Sequence, residues 1–246
     1  MRNYRLKIQY DGTRYHGWQR QKNGSDSIQG KLEQMLTRQM GYPVEIDGAG
    51  RTDAGVHARE QVAHVRLPLT EPLERWKDRF NEYLPEDIRI LGIEPAGERF
   101  HSRLNATGKV YEYHLCKKGC ADVFTRKYHW QMEEELDVDN MRKAARLLLG
   151  QHDFRGFCTK ASRKKSTVRR IDVIEIRETE NDIFLRFEGN GFLYHMVRIL
   201  TGTLVEIGSG RREISSIQKI LDDRDRKLAG PTAPAQGLTL LKVRYD

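Results

Sequence analysis

Apolar positions along the first half of the chain switch between a period of two and a helical period. Tyr4, Leu6, Ile8 and Tyr10 alternate with polar residues, which predicts a half-buried strand ending at Asp11-Gly12. After the polar turn at 23–27, Ile28, Leu32, Met35, Leu36 and Met40 share one helical face, and Gly41 closes the helix. Val44 to Ile46 predicts a short strand, and Ala63, Val65 and Leu67 predict another that Pro68 ends. A helix over 72–83 and a strand over 88–93 complete a β-α-β-β-α-β order.

The second half repeats that order. Tyr111, Tyr113 and Leu115 alternate on a strand over 110–116. Met141, Ala144, Ala145, Leu148 and Leu149 mark a helix closed by Gly150. The runs 168–176 and 183–187 predict a hairpin across Glu180-Asn181-Asp182. Met196, Ile199, Leu200, Thr203, Leu204 and Ile207 give a long helix face, with a shorter helix over 214–221 and a closing strand over 238–245. The expected fold class is α+β: two ferredoxin-like (split β-α-β) halves, 1–104 and 105–246, forming a mixed sheet around a central cleft. The first half carries the candidate catalytic loop.

Composition narrows the class of partner. Lys and Arg number 43 against 35 Asp and Glu, a net charge of +8, so a polyanion suits the surface better than a basic partner does. The N-terminus reads as a strand rather than a signal peptide, because polar residues interrupt every apolar one. The least polar run, 192–207, contains His195, Arg198 and Glu206 and falls short of the roughly 20 apolar residues of a membrane span. No membrane segment is expected. Cys116, Cys120 and Cys158 cannot form a disulfide framework, which suits a reducing compartment, and the cytoplasm is the expected one. Cys116 and Cys120 lack a second ligand pair at zinc spacing, and neither His57 nor His64 has a supporting ligand nearby in the chain. No metal is expected.

Between two strands lies Gly48-Ala49-Gly50-Arg51-Thr52-Asp53-Ala54-Gly55-Val56-His57-Ala58. Its glycines allow a tight backbone and close approach of a ligand, and they frame an ionisable pair, Arg51 and Asp53. A phosphate-binding loop would end in Gly-Lys-Ser/Thr, and a dinucleotide fingerprint would put glycine where Asp53 stands. Two readings remain from the residues alone: a structural turn that Asp53 caps, or a site built around its carboxylate.

The run Gly50 to His57 resembles the signature loop of the TruA-type tRNA pseudouridine synthases. The resemblance continues through Tyr10-Asp11-Gly12, Gly17-Trp18-Gln19-Arg20-Gln21 and Asn81-Glu82-Tyr83-Leu84-Pro85-Glu86-Asp87-Ile88. It extends to Phe100-His101-Ser102-Arg103, Lys109-Val110-Tyr111-Glu112-Tyr113, His152-Asp153-Phe154, Met196-Val197-Arg198 and Ala233-Pro234-Ala235-Gln236-Gly237-Leu238. It implies an isomerase that converts uridine to pseudouridine in the anticodon stem-loop of tRNA, without cofactor or metal, and with Asp53 as nucleophile. It also implies a homodimer in which one tRNA contacts both subunits.

Other roles follow from the same resemblance. The reacting carboxylate must carry its charge where a base excludes water, and a nearby cation favours that form. Arg198, which by itself reads as a snorkelling surface arginine, matches the family's salt-bridge partner of the aspartate. Tyr111 and Tyr113 share one face of their strand. The first matches the family's substrate-contacting tyrosine, and the second is read as packing. Arg51 matches a loop arginine that fills the space left by an extruded base and binds phosphate; extrusion itself costs a few kcal/mol. His16, Trp18 and Arg20 are read as loop packing near the RNA.

Lys160, Arg163, Lys164, Lys165, Arg169 and Arg170 cluster in one polar run, with Lys117, Lys118, Arg126 and Lys127 as a weaker second patch. Lys164, Lys165 and Arg169 are the expected phosphate contacts, against the plainer reading of a solvated loop. Two other classes compete. A noncatalytic RNA-binding protein would show paired surface aromatics of the RNP kind, and none is visible. A metal-independent hydrolase using Asp53 would need a partnering general acid, which is hard to find.

Overall fold

The computed structural model describes residues 1–21, 26–159 and 166–245. The chain has a mixed α+β fold that divides into two compact units, Met1–Thr107 with Thr239–Asp246, and Gly108–Leu238.

In the first unit, β1 (Arg2–Tyr10) lies between β3 (His57–Leu67) and β4 (Ile88–Pro95), antiparallel to both. Its alternation works as expected, with Tyr4, Leu6, Ile8 and Tyr10 all buried. The helix α1 (Ile28–Met40) begins where Ser27 accepts the Gly30 amide and ends where Gly41 turns left-handed at φ 77°. Its companion α2 (Leu73–Tyr83) packs against β4.

The expected strand at Val44–Ile46 does not form. The Ile46 amide donates to the Glu33 carboxylate at 3.2 Å, and its carbonyl accepts from the Gln29 side chain at 3.0 Å. Both backbone groups are thereby taken by α1 side chains instead of a strand partner. The pairing moves to β2 (Asp47–Gly48), which joins β3 antiparallel with Asp47 opposite His64.

The terminal strand β10 (Leu238–Arg244), which the sequence placed with the second half, runs parallel to β3 with Thr239 opposite His57 and Leu240 opposite Ala58. One edge of β3 therefore serves two short neighbours, β10 at its start and β2 further on.

In the second unit, β5 (Gly108–Cys116), β9 (Asp182–Gly189), β8 (Val168–Glu178) and β7 (Gly150–Asp153) pair antiparallel in that order. A two-residue strand, β6 (Trp130–Gln131), adds parallel to β5. The hairpin expected between β8 and β9 is present, with the Thr179 amide donating to the Asp182 carbonyl at 2.9 Å.

Helix α3 (Val138–Arg146) starts earlier and ends earlier than its apolar spacing suggested. Asp137 caps it by accepting the Asn140 amide at 2.8 Å, and Gly150, at φ 91°, opens β7 instead of closing the helix. It packs on α4 (Met196–Gly208), the apolar helix that leads to α5 (Ser216–Asp223). All of α4 is buried except Arg198 and Glu206. No helix among the described residues is long and apolar enough to cross a membrane.

Candidate active site

The loop between β2 and β3 is fixed from both sides by backbone contacts. At its entry the Ala49 amide donates to the Val62 carbonyl at 2.7 Å, and the Gln61 side chain donates to the Gly50 carbonyl at 3.0 Å. At its exit the Val56 amide reaches the Asp53 carbonyl at 3.2 Å, closing a tight turn in which Gly55 adopts φ 79°.

The segment after β1 packs directly onto this turn. The Trp18 amide donates to the Thr52 carbonyl at 3.1 Å, and the Gly55 amide to the Tyr15 carbonyl at 3.3 Å. Gly17 stands at φ 88°, where a Cβ would meet the Thr52 carbonyl oxygen at 2.6 Å. Only glycine satisfies both the left-handed backbone and that approach. The same segment is tied to α1, since the Gly17 and Trp18 carbonyls accept from the Ile28 and Gln29 amides at 3.2 and 2.9 Å. Trp18 is core, against the face of Gly48. Tyr15 and Arg14 anchor to Asp87, at 2.5 and 2.6 Å, which gives a structural role to the acidic end of the 81–88 motif.

Beneath the loop lies a buried polar floor. The Tyr10 hydroxyl shares a 2.8 Å hydrogen bond with Thr52 Oγ1. Burial pushes the Tyr10 phenol up to about 12, while its hydrogen bonds to Thr52 and Gln61 pull the other way. The phenol thus stays neutral at physiological pH. Next to it the Gly12 amide donates to His57 Nδ1 at 3.1 Å, so His57 is built into the loop's hydrogen bonding. Above this floor Asp53 is half-buried and Arg51 is exposed. A carboxylate and a guanidinium are thus presented by a backbone with little freedom to move, as a catalytic group requires.

The other expected residues belong to the second unit. Tyr111 is buried on β5 opposite Phe187, with its ring edge-on to Phe192 at 5.4 Å between centroids. Tyr113 is packing, as read: it has no exposed surface, and its hydroxyl donates to the Pro234 carbonyl at 2.7 Å. Burial raises its phenol well above the ordinary range.

Arg198 sits in the first turn of α4 and its Nε donates to the Ala233 carbonyl at 2.7 Å, while the Ala233 amide returns a bond to the Arg198 carbonyl at 3.1 Å. Its side chain is half-buried. Gly237 fits against the Tyr113 ring, where a Cβ would meet Cε1 at 2.6 Å. The Ala233–Gly237 stretch therefore has a physical job that its sequence did not reveal. It holds Arg198 through one carbonyl and Tyr113 through another.

Arg169 lies at the start of β8, with Nη1 on the Ser166 and Val168 carbonyls at 3.0 and 2.6 Å, and burial lowers the affinity of its guanidinium for the proton. Lys164 and Lys165 lie outside the described residues. The structure thus groups Arg51 and Asp53 on one loop, and Tyr111, Arg198 and Arg169 in the second unit. Sequence reading missed the supporting set of Tyr10, Thr52, Gln61 and Gly17. The available signal was an aromatic residue with a polar tip at the end of an alternating strand.

Comparison with known proteins places the chain in a family. The profile described as tRNA pseudouridine synthase matches residues 7–105 and 144–246. A protein named tRNA pseudouridine synthase A from Bacillus sp. (strain KSM-64) is 46% identical over 245 residues, covering 100% of both chains. A tRNA pseudouridine synthase A 2 from Bacillus cereus (strain ZK / E33L) is 40% identical over 245 residues, again covering 100% of both. One of the same name from Clostridium tetani (strain Massachusetts / E88) is 41% identical over 246 residues, covering 100% of this chain and 99% of its own. The chain belongs to the tRNA pseudouridine synthase family, in its synthase A (TruA) branch, and is an isomerase.

Proposed function

We propose that this chain isomerises uridine to pseudouridine in the anticodon stem-loop of tRNA, with Asp53 as the nucleophile. One observation carries the reading: the half-buried Asp53 stands on a turn pinned by Trp18, Tyr15 and Gln61, beside the exposed Arg51. The split order β4-β1-β3-β2, in which β3 lies between β1 and β2, supports the ferredoxin-like reading of the first unit.

The reaction replaces the bond between N1 of uracil and C1′ of ribose with one between C5 and C1′; the hydrogen on C5 leaves to solvent as a proton and N1 takes up a proton in its place. It is redox-neutral, so it needs no electron carrier. Attack at the sugar and attack at the pyrimidine ring both call for the same positioned carboxylate. Arg198 supplies the cation that favours its charged form, and the Tyr111 ring stacks on the turning uracil. Arg51 occupies the space of the extruded base. Lys164, Lys165 and Arg169 hold phosphates, in keeping with the net charge of +8. The working unit is a homodimer, as the family resemblance implies.

Incubation with tRNA carrying tritium at C5 of its uridines tests the reading. Release of tritium to water with an intact chain and no free base is expected. A lack of release, or the appearance of free uracil, contradicts it.

A further inference from the structure

Away from Asp53, the first unit holds a second cluster of chemistry-bearing side chains that the reaction does not use. Asp47 and His64 are directly opposite one another on β2 and β3, which turns both side chains to the same face. The His101 ring lies beside His64, 4.6 Å between centroids. One potential ligand atom from each of the three residues falls within 4.8 Å of the others.

His64 Nε2 is 3.9 Å from the Asp47 carboxylate, beyond hydrogen-bond range. Ser102 settles the other side of the ring. Its hydroxyl donates to the Asp47 carbonyl at 2.6 Å, its oxygen lies 3.1 Å from His64 Nδ1, and its amide donates to the same Nδ1 at 3.3 Å. His64 Nε2 is thereby left on the side of the Asp47 carboxylate and the His101 ring.

Neutral imidazole is the form that ligates metals. His101 Nδ1 takes the Arg103 amide at 3.2 Å, which leaves Nε2 as its ligating nitrogen, at the expense of that contact. Asp47 is exposed, so its carboxylate has room to swing in to the roughly 2.0–2.2 Å of a metal–oxygen bond, with water completing the shell.

We propose that Asp47, His64 and His101 form a binding site for a divalent transition-metal cation of the zinc and cobalt class. Two imidazoles and one carboxylate match the preference of such ions for nitrogen with some oxygen. The ion is a staple rather than a reactant. It joins β2, the strand that enters the Asp53 loop, to β3 and to the segment that follows β4. The three residues are far apart in sequence, which is why spacing gave no hint of them.

Titration of untagged, chelator-treated full-length protein with Co²⁺, followed by visible absorption, tests the site, with a thermal melt in Zn²⁺ beside it. One equivalent should bind without thiolate charge-transfer bands, and Zn²⁺ should raise the melting temperature. His64→Gln and Asp47→Asn should each weaken binding at least tenfold and cancel the thermal shift. Asp47 is exposed, so its variant stays informative if His64→Gln folds poorly. Absence of stoichiometric binding, thiolate bands from the cysteines, or unchanged binding in Asp47→Asn would each overturn the proposal.

Discussion

The Tyr10 hydroxyl and Thr52 Oγ1 lie 2.8 Å apart in the buried floor of the glycine-rich loop, one residue from Asp53. Tyr10→Phe keeps the ring and removes the bond, leaving the Thr52 hydroxyl buried without this partner. A stability loss of about 1–3 kcal/mol is expected. The rate of the chemical step should fall while tRNA affinity holds, because the loop moves but the basic surface does not. Denaturant melts and single-turnover rates check both parts.

Alkaline pH should expose the same bond. The folded pKa of Tyr10, about 12, lies above the ordinary value of 10.0, so the folded state holds the proton more tightly than the unfolded one. Its contribution is complete below about pH 10 and is lost as pH rises toward 12. Other buried tyrosines add to the wild-type slope. Tyr10→Phe should therefore lower the pH dependence of stability above pH 10 by up to one proton, about 1.4 kcal/mol per pH unit. An unchanged slope would show that the phenol ionises freely.

Gly17→Ala tests the packing of the segment after β1 onto the loop. The substitution places a Cβ within 2.6 Å of the Thr52 carbonyl at a backbone φ of 88°. Either the loop or the segment must move, and a loss of a few kcal/mol with a steep drop in activity is expected. Normal melting and full activity would mean that the contact is not required.

Much of this architecture was legible in the chain itself. Strand alternation at Tyr4–Tyr10, the helical spacing from Ile28 and the Gly41 stop are local signals, and they set β1 and α1 correctly. The failures were non-local. Val44–Ile46 is apolar enough for a strand, yet Glu33 and Gln29 take its backbone groups. Leu148 and Leu149 continue a helical spacing, yet α3 stops before them because the chain turns into β7. The loop around Asp53 announced itself through its glycines. Its support by Tyr10 and Gln61, and the grip of Ala233 on Arg198, depend on residues brought together only by folding.

Arg198 separates charge from geometry. Arg198→Lys retains a cation but loses the Nε donor to the Ala233 carbonyl. The single-turnover rate should fall at least about tenfold, roughly 1.4 kcal/mol of barrier, and Arg198→Met should fall further. Near-normal rates in both would remove Arg198 from the catalytic set.

Binding and chemistry should divide between different residues. Neutralising Lys164 and Lys165 together should weaken tRNA binding and flatten its salt dependence, since each lost phosphate contact removes roughly 0.7–0.9 from the log-log slope. The bound reaction should proceed unchanged. Tyr111→Phe keeps the ring beside Phe192, so binding should hold and any loss should appear in the chemical step. An unaltered salt slope in the double lysine variant would assign the tRNA to another surface.

The central claim rests on one carboxylate, and a single-turnover measurement addresses it. Asp53→Asn is nearly isosteric and leaves the Thr52 and Gly55 backbone contacts in place, so the protein should fold and bind tRNA as before. With saturating enzyme and tritium-labelled tRNA, no pseudouridine should form on the time scale of the unmodified protein. A rate within about tenfold of that protein, roughly 1.4 kcal/mol of barrier, would contradict the assignment of Asp53 as the nucleophile.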